Sequence, residues 1–151
     1  GYLGYRDPLF YRPEMLADLF FPFYKGVVDF FHSYDLPVVF HSCGYQEPMI
    51  PLAVDAGFDA LNPMEVKAGN DIMKYAEKFG DQLCFVGGFD ARVLESGDRK
   101  LIRQKVTEQI TGLRARNARF LFGSDHSISS NVTYDSFRYA LEVYRELRET
   151  K

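Results

Sequence analysis

The stretch LPVVFHSCG, residues 36–44, is a short apolar run that passes directly into polar, chemically reactive side chains. An apolar run of this length without polar alternation is typical of a parallel strand that is buried on both faces. Proline near its beginning is compatible with a strand, because the first position tolerates a missing N–H donor. We therefore predict a strand over residues 36–40, with His41 and Cys43 just beyond its C-terminal end.

The pattern of an apolar run followed by polar or glycine-rich sequence occurs three more times. Together the four runs predict strands over residues 36–40, 58–62, 83–86 and 119–122. Apolar side chains at helical spacing predict helices over residues 13–33, 46–56, 71–79, 99–116 and 134–148. Asn70, Asp98 and Thr133 are placed to cap three helices, whereas Pro22 is expected to kink the first helix or shift its start. The order αβαβαβαβα predicts an α/β fold.

Two architectures agree with this order of elements. One is an open, doubly wound sheet of the flavodoxin type, and the other is part of a (β/α)8 barrel. Four β/α units are about half of a barrel, and a half-barrel leaves two parallel edges and one sheet face open. The other half must then be an N-terminal segment, a separate chain or a second copy. Residues 1–151 contain no linker or low-complexity segment, so we predict a single domain.

The composition excludes several classes of protein. The chain has 151 residues, of which 46% are hydrophobic, and this is typical of a globular domain with a sizeable core. A net charge of -3 argues against nucleic-acid binding, and no apolar run reaches the roughly 20 residues of a membrane helix. With Cys43 and Cys84 as its only cysteines, the chain is expected in a reducing cytoplasm. The chain begins with Gly1 rather than methionine, and we expect it to be a processed or cloned piece of a longer protein.

The C-terminal ends of the predicted strands collect most of the chemically useful side chains. In both architectures this edge carries the active or binding site. Two of the three histidines fall there. The residues at this edge include His41, Ser42, Cys43, Asn62, Glu65, Gly87, Gly88, Phe89, Asp90, Arg92, Ser124, Asp125 and His126. The pattern predicts a site for a small molecule on this rim.

Five motifs in a fixed order connect the chain to a known family. They are HSCG at 41–44, GFDALNP at 57–63, AGND at 68–71, GGFD at 87–90 and SDHSI at 124–128. The series resembles the C-terminal half of the uroporphyrinogen decarboxylase superfamily, and the resemblance covers essentially the whole chain. It implies a (β/α)8 barrel that hosts two kinds of enzyme. Decarboxylases remove acetate carboxylates from uroporphyrinogen without a cofactor, whereas cobalamin-dependent methyltransferases use zinc to activate a thiol that accepts a methyl group.

Decarboxylation of a tetrapyrrole-type substrate is the leading implication of this resemblance. His126 matches the family's histidine on the loop after the last strand, close to the substrate, and His41 is the second predicted catalytic residue. A pyrrole ring must be protonated before carbon dioxide leaves, and histidine exchanges protons near neutral pH. Asp90 is also expected to organise its loop, paired with Arg92. The predicted substrate-binding residues are Tyr2, Tyr5, Gly88, Phe89, Asp90, Ser124 and Asp125.

The alternative implication is a zinc- and corrinoid-dependent methyltransferase. In those enzymes a His-x-Cys pair after one strand joins a cysteine after the last strand, and His41 and Cys43 match the pair. Zinc prefers four ligands in a tetrahedron, but no cysteine lies near residues 123–126. Asp125, His126 or Glu65 would have to replace it, because Cys84 is predicted to be a small core residue.

Two metal-free interpretations stay open at this point. His41 can form a hydrogen bond within the pocket while Cys43 packs beneath the loop, or both can act directly in catalysis. The chain can also be a non-catalytic half-barrel, or a ligand-binding subunit, that needs a partner chain. The N-terminal half of the family, with the arginine-rich loop and the aspartate of the decarboxylases, is absent from these 151 residues.

Overall fold

A computed structural model describes residues 11–149 of the chain. The α-helices are α1 (Pro13–Leu19), α2 (Phe21–His32), α3 (Ile50–Asp55), α4 (Ile72–Phe79), α5 (Ala91–Glu95), α6 (Arg99–Ala115) and α7 (Tyr134–Glu149). The strands are β1 (Val39–His41), β2 (Ala60–Asn62), β3 (Cys84–Val86) and β4 (Arg119–Leu121). Short 3-10 helices cover Glu47–Met49 and Val66–Ala68. Among these helices, none is both long and apolar enough to cross a membrane.

The four strands form one parallel sheet in the order β1-β2-β3-β4. A doubly wound sheet reverses its strand order at a switch point, whereas a barrel adds each new strand on the same side. The consecutive order therefore agrees with a segment of a (β/α)8 barrel and not with the flavodoxin-type alternative. The prediction of an α/β fold with four parallel strands and flanking helices is confirmed.

The two faces of the sheet differ in how well they are covered. Phe40, Leu61, Phe85 and Phe120 lie in register across the four strands and pack toward the helices. Because successive strand residues point to opposite faces, their neighbours face the other way. On that side Val39 and Leu121 are 52% and 61% exposed. Helices thus cover one face of the sheet, while the opposite face is open at both edge strands.

Prolines divide two segments that the sequence pattern predicted as single helices. The segment 13–33 forms α1 and α2, and Pro22 lies in the first turn of α2. The segment 46–56 forms a 3-10 helix and then α3, each with a proline in its first turn, Pro48 and Pro51. Proline is tolerated in a first turn because the N–H group it lacks has no partner within the helix there. Each proline therefore marks the start of a new helix.

One predicted helix cap is wrong, and the correction affects the site. Asp71, rather than Asn70, caps α4, because its carboxylate accepts hydrogen bonds from first-turn N–H groups at 3.0 and 3.2 Å. Asp98 and Thr133 cap the following helices as predicted. Asn70 is instead 4% exposed and lies beneath the loop that follows β1.

Candidate functional site

A cavity of about 340 Å3 opens at the C-terminal edge of the sheet. Its walls come from the last residues of β1 and β2 and from the loops that follow β1, β2 and β4, and they include His41, Cys43, Asn62, Pro63, Ser124, His126 and Ser127. Both predicted catalytic histidines and the predicted ligand Cys43 therefore line one cavity, although His41 and His126 are 85 positions apart in the sequence. This convergence agrees with a small-molecule site at the rim.

Asn62 fixes the orientation of the His41 ring. The two residues are partners in the register of β1 and β2, and Nδ1 of His41 lies 2.6 Å from Oδ1 of Asn62. The amide nitrogen of Asn62 donates to the carbonyl oxygen of Val86 at 3.4 Å, so the amide oxygen faces the ring. With the amide in this orientation, Nδ1 of His41 carries the ring proton, and the Nε2 lone pair faces the Cys43 thiol. A histidine in this tautomer can bind a metal through Nε2.

Cys43 lies beside that lone pair. Its Sγ atom is 3.7 Å from Nε2 of His41, and its side chain is nearly buried. Burial, reinforced by the nearby carboxylate of Glu65, raises the pKa of the Cys43 thiol above its ordinary value. With usual zinc–nitrogen and zinc–sulfur bond lengths, two ligands of one tetrahedral zinc lie about 3.5 Å apart. The separation is compatible with a metal-binding pair and equally with a hydrogen bond from the Cys43 thiol to Nε2 of His41.

His126 presents the opposite tautomer to the same cavity. The backbone N–H of Ser127 donates to Nδ1 of His126 at 2.9 Å. Nδ1 is therefore an acceptor, and the neutral ring carries its proton on Nε2. In this arrangement His126 offers a hydrogen-bond donor rather than a lone pair. It would have to give up the contact with Ser127 before it could bind a metal.

The described residues bring the two predicted metal ligands together but place no third one beside them. Within residues 11–149, no group of three or more His, Cys, Asp or Glu side chains lies close enough to hold a metal ion. Asp125 is 3% exposed, and its two carboxylate oxygens accept the N–H groups of Val66 and Ala91 at 3.0 and 3.1 Å. Asp125 thus ties three loops together, and its predicted contact with substrate stays a prediction.

Glu65 lies at the other side of the Cys43 loop. Its Oε2 atom accepts the N–H of Gly44 at 2.9 Å, and its Oε1 atom is 3.4 Å from Nζ of Lys67. The side chain is nearly buried, and its charge acts on the Cys43 thiol. Glu65 is therefore a carboxylate whose charge acts on the predicted ligand Cys43.

Three of the predicted substrate-binding residues line a different cavity. Gly88, Phe89 and Asp90 line a space of about 470 Å3 beside the first turn of α4 and the middle of α6. Asp90 also caps α5 and pairs with Arg92 at 2.7 Å, which holds the pKa of the Asp90 carboxyl below its ordinary value. The expectation that Asp90 organises its loop agrees with these contacts. Substrate binding by the three residues stays a prediction, and Tyr2 and Tyr5 lie outside the described residues.

Gly87 allows the rim loops to approach each other. Its φ angle is +96°, and an added Cβ atom would lie 2.6 Å from the carbonyl oxygen of Pro63 and 2.7 Å from that of Ser124. Both are backbone atoms that cannot move independently of their strands, so a side chain at position 87 would push apart the loops that follow β2 and β4.

The sequence pattern placed Asn62 and Ser127 at the rim but assigned neither of them a role in the site. Asn62 ends its strand as His41 ends the preceding one, so equal register in a parallel pair would have placed them side by side. Ser127 contributes a backbone N–H group, for which the side-chain sequence carries no signal.

Comparisons with known proteins place the chain in a structural context. The sequence model of a family described as "Uroporphyrinogen decarboxylase (URO-D)" matches residues 10–147. A methyltransferase from Methanosarcina mazei has a similar structure, with a TM-score of 0.67 and 18% sequence identity. The similarity covers 91% of this chain but 38% of the methyltransferase, and at this identity it concerns the fold alone. No curated protein matches the sequence.

Proposed function

Because the chain belongs to the uroporphyrinogen decarboxylase family, we propose that it carries the metal-binding part of a zinc-dependent methyltransferase of that family. The observation that supports this most is the pair formed by His41 and Cys43. Nε2 of His41 and Sγ of Cys43 lie 3.7 Å apart as hydrogen-bond partners, and loss of the thiol proton would turn both atoms toward one metal ion. Asn62 holds the other ring nitrogen, which is the arrangement that usually orients a metal-binding histidine.

Glu65 is our candidate for the third ligand. Catalytic zinc sites commonly have three protein ligands and leave one position for water or substrate. Both oxygens of Asp125 accept backbone N–H groups, whereas Glu65 accepts one from Gly44 and holds the half-exposed Lys67 with its other oxygen. Glu65 does not line the cavity, so it would have to release Lys67 and turn toward Cys43 to complete the site. His126 is the less suited alternative because Nδ1 accepts from Ser127.

The chain's residues suggest how such a site would work. Bound zinc would supply a Lewis acid that keeps a substrate thiol deprotonated near neutral pH, so that the sulfur can accept a methyl group. His126 would donate its Nε2 proton in a hydrogen bond to a polar group of the substrate. Ser124 and Ser127 also line the cavity and add polar groups to its wall. A corrinoid as methyl donor follows from the family resemblance and is part of this proposal.

Decarboxylation of a tetrapyrrole-type substrate is the second candidate. The description of the matching family and the Nε2 donor of His126 favour it. However, the described residues that line the cavity include no lysine or arginine. A substrate with several carboxylates needs cationic partners, which would have to come from outside residues 11–149. For this reason we place decarboxylation second.

The proposed site also needs further chain around it. Within residues 11–149, every exposed large apolar side chain lies before residue 40 or after residue 120. On α2, Phe23, Val27 and Phe30 form a stripe at helical spacing with exposures of 77%, 48% and 58%. The edge strands β1 and β4 each pair on one side. We propose that a polypeptide segment with the remaining β/α units of the barrel pairs with the open edges of β1 and β4. The same segment would cover the two flanks, by which we mean the exposed apolar side chains before residue 40 and after residue 120. This agrees with the 38% coverage of the methyltransferase.

Size-exclusion chromatography with light scattering and a hydrophobic dye tests this partner. We expect the chain alone to bind the dye and to associate irregularly, and the change Phe23→Ser to reduce dye binding. A defined dimer without dye binding would show that a second copy covers the flanks. A single monomeric peak without dye binding would show that the flanks need no partner.

The zinc content of protein purified without chelator tests the proposed metal site. We expect about one zinc per chain, lost in Cys43→Ser because serine is a poor zinc ligand. Cys84→Ser is the matched control, because Cys84 lies within β3 and does not line the cavity. Equal loss in both variants, or no zinc in any protein after zinc is added back, would contradict the metal site and leave decarboxylation as the better candidate. Methyl transfer from a methylated corrinoid to a thiol then tests the reaction itself.

A further inference from the structure

The loop that carries Cys43 is held by a buried amide to which the proposed reaction assigns no role. Asn70 is 4% exposed, and its Nδ2 atom donates to the carbonyl oxygens of Gly44 at 2.8 Å and Glu65 at 2.9 Å. Its Oδ1 atom accepts the backbone N–H of Gln46 at 2.9 Å and the hydroxyl of Tyr75 at 3.2 Å. Two donors and two acceptors are the full capacity of an asparagine side chain. Asn70 uses all four.

These bonds connect the two loops that carry the proposed ligands. Gly44 follows Cys43 directly and Gln46 lies three residues after it. Gly44 also donates its N–H to the carboxylate of Glu65. The buried side chain of Gln46 donates to the carbonyl oxygen of Ser42 at 2.6 Å and closes the loop on the other side of Cys43. The loop is therefore fixed on both sides of Cys43, and Asn70 is the side chain that bonds to both Gly44 and Glu65.

A role in capping α4 does not account for Asn70. Asp71 performs the capping. A buried amide whose four hydrogen bonds all lead to two loops and one tyrosine constrains those loops relative to each other. We propose that Asn70 is a positioning residue, which fixes Cys43 and Glu65 relative to each other and so sets the metal affinity of the site. This inference rests on the proposed zinc site.

The isosteric change Asn70→Asp tests the proposal. The carboxylate cannot donate, so it would face the carbonyl oxygens of Gly44 and Glu65 without a hydrogen bond and would release the loop. Asp71→Ala is the matched control, because it removes the cap of the same helix and leaves the contacts of Asn70 in place. Both changes are made in Cys84→Ser protein, so that Cys43 is the remaining thiol.

Two measurements separate positioning from general loss of stability. We expect Asn70→Asp to lower zinc affinity by about 10- to 100-fold, the usual effect of losing a residue that supports metal ligands. We also expect Cys43 in metal-free protein to react faster with a thiol reagent. Asp71→Ala should lower the unfolding midpoint while both readouts stay near those of the parent protein.

The outcomes distinguish this inference from the proposed function. If the parent binds zinc and Asn70→Asp resembles Asp71→Ala in both readouts, the inference about Asn70 is overturned while the zinc site stands. If no protein binds zinc but Asn70→Asp still accelerates thiol modification, the proposed function fails while the positioning of the Cys43 loop is supported. If Asn70→Asp does not fold, Asn70→Ala removes the same donors without adding a charge and is judged by the same criteria.

Discussion

His41 and His126 line the same cavity but differ in which ring nitrogen carries the proton. His41 donates its Nδ1 proton to Asn62 and keeps a lone pair on Nε2, whereas His126 accepts at Nδ1 from Ser127 and keeps a proton on Nε2. The contact at Nδ1 makes this difference, and Nε2 of His41 also lies within hydrogen-bond reach of the Cys43 thiol. The same residue type can therefore bind a metal at one wall and donate a hydrogen bond at the other.

The His41 wall is also the more constrained of the two. His41 belongs to a paired strand, and the following loop is held by Asn70 and Glu65. His126 belongs to an exposed loop beyond the edge strand β4, held by the carboxylate of Asp125 next to it. A metal site requires fixed ligands, while a donor to substrate tolerates adjustment, so the two environments suit the two proposed roles.

The largest effect should distinguish the two histidines directly. We expect His41→Ala to reduce zinc affinity by more than about 100-fold, because it removes a ligand, and His126→Ala to reduce it by less than about 10-fold. Zinc competition titration measures both. His32→Ala is the control, since His32 pairs with Asp59 outside the cavity. Equal losses of zinc affinity for His41→Ala and His126→Ala would contradict the proposed difference between the two histidines. They would indicate that His126 also binds the metal and has given up its contact with Ser127.

A smaller effect should come from the residue that sets the His41 tautomer. Asn62→Leu keeps the approximate size of the side chain but removes the acceptor of the Nδ1 proton. We expect zinc affinity to fall by about 10- to 100-fold, and nitrogen NMR of the metal-free protein to show a mixture of His41 tautomers. Asp59→Asn changes an acceptor for His32 outside the cavity and should leave both readouts unchanged. An unchanged His41 tautomer in Asn62→Leu would show that Asn62 does not determine it.

Much of the fold could be predicted because it depends on local patterns. Short apolar runs gave the four strands within a few residues, and Asp98 and Thr133 signalled the starts of α6 and α7. The errors arose where two local signals compete. Asn70 and Asp71 are both good capping residues, and the sequence alone could not show that burial reserves Asn70 for the Cys43 loop.

The position of His41, Cys43 and His126 at or just after strand ends could be predicted from the sequence alone, because buried parallel strands and the polar loops after them leave a clear local pattern. What these residues can do depends on contacts that form only in the folded chain. The tautomer of His41 depends on Asn62, 21 positions away. The Cys43 loop is held by Asn70, which lies 26 positions after Gly44. The loop of His126 is held by the bond between Asp125 and Val66, which are 59 positions apart. Hydrogen bonds over such separations exist only once the strands are in register, and no local pattern encodes them.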